Sequence, residues 1–109
     1  MKMLSYQEIY TRLGEGKTYY SKISQDKRLM TQKRDRYTNI AAVVNLLLEN
    51  LRKDGVINLT REDIERKTRI PRRTIEEYLR TLKTRIRISF EFKDGYRMLF
   101  REGRNYSRI

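Results

Sequence analysis

The clearest pattern in the chain is the recurrence of Tyr37, Ile40, Ala41, Val44, Leu47, Leu48 and Leu51. Steps of three and four residues are the repeat of a helix that buries one face, and Asp54-Gly55 supplies its stop. Two starts are open, Thr31 and Thr38, because Lys33 and Arg34 in a first turn would oppose the helix dipole. Val43 and Leu46 widen the apolar stripe enough to serve a second surface as well as a core, and a contact with a second copy of the chain is one use for it.

Beyond that helix, Val56-Ile57-Asn58-Leu59 reads as a very short strand. Thr60 then caps a helix over about 61–68, with Glu62 and Asp63 at the positive end of its dipole. Thr68-Arg69-Ile70 makes a turn, and Pro71, whose φ is already helical, opens a further helix over about 72–84 that buries Ile75, Leu79, Leu82 and Ile86. At about 100° per residue, its outward face is Arg73, Glu77, Arg80 and Thr84, flanked by Arg72, Glu76, Thr81 and Lys83.

Residues 87–101 alternate as a hairpin, and the apolar positions choose its register. A turn of Asp94-Gly95 alone would split the apolar side chains over both faces. A Lys93-Asp94-Gly95 turn, with Gly95 left-handed, pairs Ile88 with Phe100, Phe90 with Met98 and Phe92 with Tyr96 on one face. That register also sets Glu91 beside Arg97 and leaves Lys93 at the tip.

At the other end, Ser5 and Glu8 have capping-box spacing, and Tyr6, Ile9, Tyr10 and Leu13 carry a stripe that Gly14 ends, which predicts a short helix over about 6–13. Thr18 to Ile23 has the β-branched and aromatic content of a short strand. The chain divides on this reading into a basic N-terminal extension, 1–36, and a domain over 37–109.

Composition narrows the chemistry. A chain of 109 residues, 38% of them hydrophobic, can bury one modest core. The absence of Cys and His excludes disulfide frameworks, zinc fingers, thiol nucleophiles and imidazole catalysis. A formal charge of +12 points to a polyanionic partner. No apolar run approaches a membrane span, and the start lacks the apolar block of a signal peptide, so a cytoplasmic protein without a membrane partner is expected. The 37% charged fraction, rich in Arg, suits a hot environment.

The basic residues concentrate between 66 and 87, where nine Lys and Arg face Glu76 and Glu77 alone. Such an excess is costly by self-repulsion unless a polyanion meets it, although a solvated helix face with ion pairs is the plainer alternative. Lys27, Arg28, Lys33, Arg34 and Arg36 read equally as an arm that tracks phosphates or as a polar helix face. Tyr19 and Tyr20 could stack on bases, but packing against the 37–51 helix is favoured. Glu62, Asp63 and Glu65 are better explained by a helix N-terminus than by a Mg²⁺ site, and no Gly-rich phosphate loop is present. Neither catalysis, a metal nor a cofactor is expected.

The order helix, short strand, helix, turn, helix, hairpin resembles the winged helix-turn-helix family over about 37–101, and Ile70-Pro-Arg-Arg-Thr-Ile-Glu-Glu-Tyr-Leu-Arg-Thr-Leu82 is similar to its turn and recognition helix. The resemblance implies an α+β, mostly α fold with an N-terminal helical extension. It also implies a double-stranded DNA partner, with the third helix of the motif in the major groove and the hairpin as a wing. By position it assigns contacts to Arg72, Arg73, Glu77, Arg80 and Lys93, with Arg69, Thr74, Lys83, Thr84 and Thr60 beside them. Only one basic residue stands at the wing tip, next to an acid, which predicts a slight wing contact. The expected function is sequence-specific DNA binding by a homodimeric transcription regulator of a microbe, its virus or its plasmid. Origin binding, partition, or a protein- or RNA-interaction module are the alternatives.

Overall fold

The computed structural model describes residues 4–93 and 97–102, with side chains described for 4–89. Among the described residues the chain is mostly helical: α1 (Tyr6–Ser24), α2 (Thr31–Asp54), α3 (Arg61–Thr68) and α4 (Arg72–Arg85) precede two strands, β1 (Ile88–Lys93) and β2 (Arg97–Glu102). No helix among them is long and apolar enough to cross a membrane.

The first helix begins as expected. The Ser5 side chain accepts from the Glu8 N–H at 3.2 Å while Glu8 accepts from the Ser5 N–H at 3.2 Å, the reciprocal box that satisfies orphan amides. It does not stop at Gly14. It runs to Ser24, and the strand expected over 18–23 is its last part. The reason lies in the buried positions Ile9, Leu13, Gly16 and Tyr20, a helical stripe whose third member has no side chain. A Cβ on Gly16 would sit 3.2 Å from Ile86 Cγ2 and 3.8 Å from Val44 Cγ1, so the glycine lets α1 close onto α2 and the end of α4. Packing overrides the weak helix propensity of the two glycines.

Of the two possible starts for α2, Thr31 is the first helical residue, so the expected division between 36 and 37 falls inside this helix. Gly55 ends it with φ 75°, a left-handed conformation that glycine adopts at little cost. Val43 is fully buried and Leu46 is packed against the same cluster, so the extra width of the stripe is taken up within the chain. One cluster joins Leu13 and Tyr20 of α1, Ile40 to Leu51 of α2, Ile64 of α3 and Ile75, Tyr78, Leu79 and Leu82 of α4.

The segment 56–59 is not a strand. Ile57 and Leu59 are buried in alternation, as the pattern required, but their backbone has no ladder partner among the described residues. A side chain substitutes for one. Asn50 accepts from the Asn58 N–H at 2.8 Å and donates to the Asn58 side-chain oxygen at 2.9 Å. From there the expectations hold. Thr60 and Asp63 form a capping box for α3, and Ile75, Leu79, Leu82 and Ile86 are buried.

The strands pair antiparallel in a register shifted from the expected one. Phe90 faces Phe100, Phe92 faces Met98, Glu91 faces Leu99 and Lys93 faces Arg97, while Ile88 faces Glu102. The two registers differ by two residues, a full period of the strand alternation, so the alternation alone does not distinguish them. Lys93 therefore ends β1 instead of occupying the turn. The expected turn residues Asp94 and Gly95, like Tyr96, lie outside the described residues. The approach to β1 is fixed from behind, because Arg87 has φ 57° and its carbonyl accepts from Arg12 Nη1 of α1 at 2.7 Å.

Candidate nucleic-acid interface

The α3–α4 pair places most of the sequence-predicted site residues on one surface. Their connection is short because Arg69 turns left-handed, φ 60°, directly after α3, and its N–H donates to the Glu65 carbonyl at 2.7 Å. A residue with a Cβ is strained there by about 1 kcal/mol or more, and this one places an exposed guanidinium on the turn. Arg73, Glu77, Arg80 and Thr84 are all exposed, as the helical projection required, and Thr74 and Lys83 are half-buried at the edges of that face. The helix buries one residue that sequence reasoning missed, Tyr78, 4% exposed beside Ile75 and Leu79; its spacing three residues from Ile75 was the available signal.

The carboxylates of α4 do not pair with the arginines of α4. Glu76 pairs with Arg61 of α3, and Glu77 accepts from Arg36 of α2 at 3.2 Å. Arg72 is drawn the other way, toward Glu62 of α3 at 3.2 Å, and its N–H donates to Glu65 Oε2 at 2.7 Å. Both acids of α4 are thus paired with arginines of other helices. Among the described residues Lys67, Arg69, Arg73, Arg80 and Lys83 form no ion pair, so the outward surface of the turn and of α4 carries a concentrated positive charge.

Two predicted residues are otherwise engaged. Thr60 accepts from the Asp63 N–H at 3.0 Å, which commits its hydroxyl to the α3 cap. The backbone N–H that opens α4 already faces the Glu65 carboxylate, so that amide is not open to a phosphate. The acids Glu62, Asp63 and Glu65 each have a structural partner, and no cluster of metal-ligating side chains occurs among the described residues. The side chain of Lys93 lies outside those described.

The basic residues ahead of 37 separate into two groups. Lys27 and Arg28 lie in the connection between α1 and α2, where Arg28 pairs with Asp26 at 3.0 Å. Lys33, Arg34 and Arg36 belong to the first turns of α2, and Arg36 is brought across to α4 by Glu77. Tyr20 is 2% exposed and stacks on Tyr37 with ring centroids 6.0 Å apart. Tyr19 meets Tyr20 edge-on at 5.0 Å, remains 37% exposed, and carries the Arg85 guanidinium 3.7 Å over its ring. Burial pushes the Tyr20 hydroxyl up to about 12, so it stays protonated.

No family model, curated protein or solved structure matches this chain.

Proposed function

We propose that the chain is a sequence-specific double-stranded DNA-binding protein of the winged helix-turn-helix kind, with α4 as the reading helix and the β1–β2 hairpin as the wing. The observation that carries this reading is the diversion of Glu76 and Glu77 to arginines on other helices, which leaves Arg73 and Arg80 exposed and without an ion partner among the described residues. An arrangement serving stability alone would bring those opposite charges together, since unpaired like charges on one face repel. Arg69 adds a cation at a strained turn, a conformation that tends to occur where function requires it.

In this reading Arg73 and Arg80 make guanine contacts in the major groove, and Glu77 accepts from a cytosine amino group. Arg69, Lys83 and Thr84 hold phosphates, and Lys93 of the hairpin reaches the adjoining backbone. Two copies on a two-fold site would set their reading helices about 34 Å apart, the geometry that a transcription regulator uses to gain specificity.

The test is a titration of random-sequence duplex over a salt series, followed by selection of bound duplexes from a random pool. The reading expects affinity to fall steeply with salt and a consensus to emerge. A flat salt response would replace DNA by a protein partner, and an asymmetric consensus would replace the two-fold site by an origin-type one.

A further inference from the structure

Beside the C-terminal end of the α4 face lies an open cavity of about 420 Å³, within the range of small-molecule sites. Tyr19, Tyr20, Arg36, Tyr37, Thr84 and Arg85 contribute to its lining, so α1, α2 and α4 all meet there. Three aromatic rings, two guanidiniums and two kinds of hydroxyl are brought together. A ligand with an aromatic face alone would leave the guanidiniums without an anion, and a bare anion would leave the rings without a partner.

Two features show that this lining is not fully satisfied within the chain. The Tyr20 hydroxyl has no hydrogen-bond partner among the described residues, and although its side chain is only 2% exposed, the oxygen keeps some accessible surface beside the open cavity that Tyr20 lines. Arg85 has no carboxylate partner among the described residues and lies instead over the Tyr19 ring, an arrangement that a stacked ligand could extend.

We propose that this cavity binds one nucleotide, its base against the Tyr19 and Tyr37 rings and its phosphate on Arg36 and Arg85. The nucleotide is either free in solution or the unpaired end of a nucleic-acid strand passing along α4. A bound phosphate competes with Glu77 for Arg36, so occupancy changes the charge on the α4 face. The proposal goes beyond duplex recognition and does not require it.

Two arms test it with the full chain. In the first, adenine, guanine, cytosine and thymine mononucleotides are titrated calorimetrically, with the matching nucleosides alongside. In the second, a blunt duplex is compared with the same duplex carrying one unpaired terminal nucleotide. The expected result is saturable 1:1 binding of at least one mononucleotide, at least tenfold tighter than its nucleoside, or an overhang that binds at least tenfold tighter than the blunt duplex. Arg85→Ala and Tyr20→Phe, which alter an exposed side chain and a single hydroxyl, should each reduce that binding or that gain at least fivefold while leaving the thermal transition in place. Absence of both signals overturns the proposal, as does binding that neither variant weakens. The mononucleotide arm contains no duplex, so failure of duplex recognition leaves it intact.

Discussion

Arg36 and Glu77 join the start of α2 to the middle of α4 through an ion pair of 3.2 Å, with both side chains about half exposed at 49% and 52%. A pair so open to water contributes little to stability, between about 0 and 1 kcal/mol. Its effect is on the surface it borders, where it holds the only exposed acid of the α4 face against a cation from another helix.

Glu77→Gln should therefore leave the unfolding free energy within about 1 kcal/mol of the parent. It should also tighten binding to random-sequence duplex, because one negative charge is removed and Arg36 is released toward the phosphates. Thermal melts and low-salt titrations check the two halves separately.

Arg73→Ala and Arg80→Ala should each weaken binding to a selected cognate site by about 1–3 kcal/mol and flatten the sequence preference at one position. Lys83→Ala should instead weaken all duplexes alike and lower the salt slope by about 1. If the arginine variants behave as Lys83→Ala does, α4 positions the protein and does not read.

Arg69→Gly separates strain from function. Glycine adopts the left-handed conformation at little cost, so the variant should be more stable by about 1 kcal/mol. It should nevertheless bind duplex more weakly, since a cation on the turn is lost. A denaturant midpoint that rises while affinity falls is the expected outcome.

The glycines of α1 make opposite predictions. Nothing lies within 4 Å of a Cβ built on Gly14, so Gly14→Ala should stabilise the helix by about 0.5–1 kcal/mol. Gly16→Val, placed 3.2 Å from Ile86, should cost about 1–3 kcal/mol through overpacking. Denaturant unfolding distinguishes them.

Asp63 links stability to acid. Its hydrogen bond from the Thr60 N–H holds its carboxyl below the usual aspartate value, with Arg66 adding to the effect. A carboxyl lowered in the folded state contributes stability above its unfolded value, and that contribution is lost as pH falls through the lowered one. Thermal stability should thus decline below about pH 4 more in the parent than in Asp63→Asn. Thr60→Ala should cost about 1 kcal/mol at neutral pH, the usual worth of such a cap.

What could be read from the sequence and what could not have separate physical causes. The α3–α4 unit was legible because its signals are local: Thr60 caps, Pro71 opens, and Ile75, Leu79 and Leu82 repeat at helical spacing. The length of α1 was not, because Gly14 and Gly16 imitate a stop and the stripe passes through a residue with no side chain. Leu59 and Ile57 alternate as a strand does, but what satisfies the backbone beside them is Asn50, eight residues from Asn58. For the candidate interface, the projection of α4 placed Arg73 and Arg80 on the exposed face where they lie. It could not foresee that Glu76 and Glu77 are claimed by Arg61 and Arg36, since those partners come from distant turns of chain.

α4 and the β1–β2 hairpin share one joint, at Ile86 and Arg87, and that joint rests on the first helix: Gly16 lies against Ile86, and Arg12 donates to the Arg87 carbonyl. The angle between the two elements is therefore braced by a segment that precedes both of them in the chain. A chain shortened to begin at Thr31 would lose that brace together with the part of the core that Ile9, Leu13 and Tyr20 supply.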